Sequence, residues 1–81
     1  MHNYNRPLWK AWFVRNLREI MDERGLTEKE LARMCYLSKS TINRIIRGYS
    51  TPTVKTVVNL SNGLGIPMDK LLFYKGMFRN E

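Results

Sequence analysis

The chain has 81 residues, enough for one small domain, and 43% of them are apolar, a share typical of folded rather than disordered chains. Lysine and arginine outnumber aspartate and glutamate 14 to 7, and the resulting charge of +7 suits a polyanionic partner. One cysteine, Cys35, and one histidine, His2, exclude an internal disulfide and a Cys/His zinc cage, and no apolar run approaches the roughly 18 residues of a membrane span.

The segment Met1 to Pro7 has no apolar core of the secretory kind, so a reducing, cytoplasmic setting is expected. Helical spacing then recurs, cut by Gly25, Gly48, Pro52, Gly65 and Pro67, and strand alternation is nearly absent. A first helix is predicted from Pro7 or Leu8 to Arg24. Trp9, Phe13, Leu17, Ile20 and Arg24 recur along it at three- and four-residue steps, flanked by Trp12 and Met21. Gly25 ends it by accepting a left-handed backbone. A second helix starts at Thr27, which forms a T-x-x-E capping box with Glu30, and ends near Cys35. Leu31, Ala32 and Met34 supply its apolar contacts. Ser38 caps a third helix that runs to Arg47, with Ile42, Ile45 and Ile46 on its apolar side and Gly48 as its stop. After a loop at Tyr49–Pro52, a fourth helix begins near Thr53. Its expected buried set is Val54, Val57, Val58, Leu60 and Leu64, and Gly63 is expected to loosen its last turn. A fifth, short helix runs from Pro67 to about Leu72, and the apolar stretch Phe73–Phe78 is left unassigned.

Enzymatic chemistry finds no foothold. His2 is terminal, Cys35 has no base nearby in sequence, and there is no phosphate loop or carboxylate pair, so no cofactor or metal is expected. The glycosylation pattern Asn59-Leu60-Ser61 falls inside a predicted helix and is set aside. No helix joins a basic face to a continuous apolar one, so a membrane-surface role is not expected either.

The second and third helices are separated by only a few residues, which forces them to pack at a steep angle, as in a helix-turn-helix. A small residue, Ala32, fits where they approach, Leu37 fills the turn, and Ile42 and Ile45 pin one helix on the other. Lys39, Ser40, Asn43, Arg44 and Arg47 are then left projecting outward. The ordered set Thr27-Glu28-Lys29-Glu30-Leu31-Ala32, Leu37-Ser38, Ile42-Asn43 and Ile45-Ile46-Arg47-Gly48 resembles the Cro/lambda-repressor-like, or XRE, family. Asn16–Ile20 before it, and Pro52, Val57, Leu60, Leu64, Gly65-Ile66 and Leu71-Leu72 after it, extend the resemblance over about 13–72. The resemblance implies an all-α, five-helix lambda-repressor-like domain over 1–81, with an N-terminal extension at 1–12 and a tail at 73–81. Tyr36 departs from the family's usual turn glycine, at a cost of roughly 1 kcal/mol if the turn keeps its left-handed residue, so a reshaped turn is expected. Asn43 stands for a common serine. Ile46 stands for a glutamate that pairs with an arginine at the place of Arg18, so that ion pair is not expected, and Ile46 should pack on Trp12 or a partner.

The resemblance also implies how DNA is met. In the family's docking mode the N-terminal half of the third helix enters the major groove. Base readout is expected from Lys39, Ser40, Asn43 and Arg44. Arginine and lysine suit guanine O6 and N7, and asparagine suits adenine N6 and N7. The plainer role for each is a solvated side chain or a phosphate contact. Phosphate contacts are expected from Thr27, Glu28 and Lys29 at the head of the second helix, with Glu28 acting through its amide because its carboxylate repels phosphate. Ser38, Thr41, Arg47, Tyr49, Ser50, Thr51 and Lys55 are expected on the opposite phosphate wall. Arg6 and Lys10 could extend the grip as an arm, or belong to a disordered leader. Leu72, Phe73, Tyr74, Met77 and Phe78 are the expected homodimer surface, unless that tail folds back on Trp9 and Trp12. The implied function is sequence-specific double-stranded DNA binding by a transcriptional regulator, a repressor of phage or mobile-element type acting as a dimer on a palindromic operator. The alternative is a module for a protein partner, such as an antitoxin or anti-repressor.

Overall fold

The computed structural model describes residues 8–72 and folds them into α1 (Leu8–Arg24), α2 (Glu28–Met34), α3 (Lys39–Ile46), α4 (Val54–Leu64) and α5 (Met68–Leu72), with no strand among the described residues. Side-chain caps start the three middle helices. Thr27 Oγ1 accepts from the Glu30 amide (3.1 Å) while Glu30 Oε1 accepts from the Thr27 amide (2.9 Å), the reciprocal box read from the sequence. Ser38 Oγ accepts from the Thr41 amide (3.0 Å), and Thr53 Oγ1 from the Thr56 amide (3.2 Å). Each cap satisfies one of the amides a helix leaves without an internal partner, a gain of about 1 kcal/mol.

The first three helices end in one geometry. Leu26 N donates to Met21 O after α1, Leu37 N to Ala32 O after α2, and Tyr49 N to Arg44 O after α3. Each is the six-to-one bond that closes a Schellman motif around a left-handed residue. Glycine occupies that residue after α1 and α3 (Gly25, φ 65°; Gly48, φ 80°), but Tyr36 occupies it after α2 (φ 57°). The turn is therefore not reshaped: it keeps the left-handed residue and holds a tyrosine there. Tyr36 is 90% exposed, so its ring gains almost nothing from burial to offset the backbone cost. Leu37, next along, packs against the core and anchors the turn.

α1 packs chiefly on α5 and α2 on α3, while α4 touches both α2 and α5. The shared core consists of Phe13, Leu17 and Met21 from α1, Leu31, Ala32 and Cys35 at α2, Ile42, Ile45 and Ile46 from α3, Val57, Leu60 and Leu64 from α4, and Leu71 from α5. Burying a large apolar side chain of this kind contributes about 1.5–3 kcal/mol. Two polar tethers lock the flanking helices. The buried Asn16 Nδ2 donates to Leu71 O (3.0 Å), and Arg24 Nη1 donates to Leu64 O (2.8 Å) at the C-terminus of α4, where a cation is favoured. Arg24 thus joins the packing through its head group rather than as part of an apolar stripe.

Three expectations are corrected. Val54 is 76% exposed rather than buried: it is the first residue of α4 and lies at the rim of an open apolar groove that it shares with Met68 and Leu72 of α5. Met34, at the end of α2, is also exposed. Gly63 does not loosen α4: a Cβ there would lie 2.5 Å from Cys35 Sγ and 2.8 Å from Met34 O, so the absent side chain is what lets α4 approach the end of α2. Ile46 lies in the core, 8% exposed, while Arg18 is exposed.

Candidate nucleic-acid interface

The two sides of α3 differ completely. Ile42, Ile45 and Ile46 are buried against the rest of the domain, while Lys39, Ser40, Arg44 and Arg47 are exposed. A helix with one apolar face and one free basic face can lie in a groove of anionic character without giving up its packing. Lys29 on α2 and Lys55 on α4 are exposed as well, so the exposed cations of the domain include residues of α2, α3 and α4.

Asn43 is the exception among the expected readers. It is half-buried, and its Nδ2 donates to Glu28 Oε1 at 3.0 Å. The link joins the first residue of α2 to the middle of α3 across the turn. Residues fifteen apart leave no periodic trace, so the sequence reading showed Asn43 as free and Glu28 only as a repulsive carboxylate.

The expected phosphate-binding hydroxyls are partly committed. Thr27 Oγ1 donates to Glu30 Oε1 (3.2 Å) and Ser38 Oγ donates to Thr41 Oγ1 (2.8 Å), so these two protons serve the caps. Thr41 accepts that bond and keeps its own proton. After Gly48, the Tyr49 and Ser50 amides both donate to Arg44 O (2.8 and 3.3 Å), which holds the loop against the end of α3. Tyr49, Thr51 and Lys55 are exposed and Ser50 is half-buried. Lys10 is half-buried, whereas Arg6 and the tail residues Phe73, Tyr74, Met77 and Phe78 lie outside the described residues. Leu72, half-buried, borders an apolar groove of about 370 Å³ with Trp9, Pro52, Val54, Val57 and Met68. Trp9 meets Phe13 edge to face, with ring centroids 6.3 Å apart.

Among the described residues, two titratable groups depart from their ordinary values. The Thr27 backbone amide, then the Thr27 hydroxyl, hold the Glu30 carboxyl below the usual 4.5, which keeps the capping box ionised. Burial pushes the Cys35 thiol up, which makes it a small apolar core group rather than a nucleophile. No helix among the described residues is long and apolar enough to cross a membrane.

Two short helices joined across residues 35–38, the second with a buried isoleucine face and an exposed basic face, define a helix-turn-helix DNA-binding domain. A family model described as helix-turn-helix matches residues 17–71. Among solved structures, the fold is similar to that of a hypothetical transcription factor, NHTF, from Neisseria, with a TM-score of 0.76 and 23% identity over 82% of this chain and 76% of that one. No curated protein matches the chain. The family match runs from α1 into α5, and the chain belongs to the helix-turn-helix family of XRE type.

Proposed function

We propose that this domain is a sequence-specific transcriptional regulator, a repressor of phage or mobile-element type, that binds a palindromic operator as a homodimer in the cytoplasm. The observation that carries the reading is the division of α3 into a buried isoleucine face and an exposed face bearing Lys39, Ser40 and Arg44, with Arg47 exposed at its C-cap. Lys39 and Arg44 read guanine edges, Ser40 and Asn43 read neighbouring bases, and Lys29, Thr41, Arg47, Tyr49, Ser50, Thr51 and Lys55 hold phosphates beside them. Glu28 and Ser38 contribute backbone amides at the helix starts, while the Thr27 amide stays bonded to Glu30 and Thr27 serves only by capping α2. Pairing through the end of α5, where Leu72 borders the apolar groove, sets two recognition helices about 34 Å apart, one turn of DNA. Selection of bound duplexes from a random pool tests the whole reading. The expected product is a two-fold symmetric site bound with a steep salt dependence. A pool that stays random after repeated rounds, or a chain that binds a protein tightly and no duplex, refutes it.

A further inference from the structure

The bond between α2 and α3 bears on which base is read, an inference that rests on the proposal that α3 reads DNA. Glu28 Oε1 accepts from Asn43 Nδ2 at 3.0 Å, and both side chains are half-buried. A carboxylate has only acceptors, so it can hold only the NH₂ half of an amide. Rotating the Asn43 amide by half a turn would set its oxygen against the carboxylate oxygen, two acceptors with no proton between them. One orientation is therefore enforced, and it leaves the Oδ1 acceptor and one N–H. Adenine presents the complement, an N6 donor beside an N7 acceptor. We propose that Glu28 is a specificity-determining positioning residue: without touching a base, it fixes the donor–acceptor pattern that Asn43 shows to the major groove. The same carboxylate weakens attraction to every phosphate, so it exchanges some general affinity for discrimination.

The test compares site selection from a random duplex pool by the wild-type chain, Glu28→Gln, Glu28→Ala, Asn43→Ala and the double variant Glu28→Gln/Asn43→Ala. Glutamine keeps the size of Glu28 but can donate or accept, so it tolerates either amide orientation. In the expected result the wild-type chain prefers adenine at one position of each half-site by about tenfold or more. Asn43→Ala erases that preference, Glu28→Gln and Glu28→Ala relax it at the same position and no other, and the double variant is no worse there than Asn43→Ala alone. Both Glu28 variants also bind scrambled duplex more tightly. Unaltered preferences in the Glu28 variants while Asn43→Ala loses one, or no change at any position in Asn43→Ala, overturn the inference and leave DNA reading by α3 intact. A wild-type chain that enriches no site overturns that reading and this inference together.

Discussion

The inner and outer faces of the α2–α3 pair are built to opposite rules. The inner face admits no slack: Leu31, Ala32, Ile42 and Ile45 are buried, and Gly63 of α4 is pressed so closely on Cys35 that one added carbon has no room. The outer face is loose and charged, with Lys39, Ser40, Arg44 and Arg47 all exposed. The contrast separates what holds the helices in place from what they present. A change on the inner face should be felt by the whole domain, and one on the outer face only by a ligand.

Gly63→Ala should break this contrast most severely. Helix propensity favours alanine by about 1 kcal/mol, but overpacking against the α2 backbone costs about 3 kcal/mol. The net loss, on the order of 2 kcal/mol, should lower Tm by roughly 10 °C, and a melt at or above the wild-type temperature would show that α2 yields easily. On the outer face, Arg44→Ala should leave Tm nearly unchanged and weaken binding to the selected site by about 1–3 kcal/mol with little effect on a scrambled one. Lys55→Ala should weaken both duplexes alike. Equal losses from Arg44→Ala on both would demote it to a phosphate contact.

Two smaller changes sharpen the comparison at its edge. Tyr36 is exposed yet left-handed. Replacement by glycine relieves about 1–2 kcal/mol of backbone cost against about 0.5–1 kcal/mol of added chain entropy. Tyr36→Gly should therefore raise stability by about 0–1.5 kcal/mol in a denaturant titration, and a loss would reveal a hidden contact of the ring. Glu30 should give the smallest effect. Its carboxyl is held below 4.5, so its stabilising contribution is complete above that pH and disappears as the pH falls through the lower folded-state value. Melts of wild-type and Glu30→Ala chains should differ at neutral pH and converge in acid; a gap of constant width from pH 7 to 3 would contradict an ionised capping box.

Features written in short stretches of chain were legible before the structure. Thr27 with Glu30, Ser38, and the stop glycines Gly25 and Gly48 located helices two and three, because caps act over three or four residues. The isoleucines of α3 gave its buried face by their spacing. Features set by chain segments meeting in space were not legible. Gly63 looked like a weak point in a helix, since nothing local records that Cys35 lies against it. Val54 looked buried because it is apolar and precedes an apolar helix. Asn43 looked free because its partner belongs to another helix. At Tyr36 the packing of Ala32 and Leu37 on either side kept a backbone form that tyrosine does not favour, so residue preference was overridden by its neighbours. The site was thus readable as a list of exposed cations and hydroxyls, but not as a connected set.

The close seat of Gly63 on Cys35 also equips the domain with an internal gauge. The protein's one thiol is 0% exposed, and burial disfavours the thiolate that alkylating reagents require. Iodoacetamide reaches that sulfur only when the core packing around Cys35 opens, so the labelling rate counts openings of the domain. Operator duplex in saturating amount should slow that labelling, and the ratio of rates would measure how firmly DNA holds the closed form.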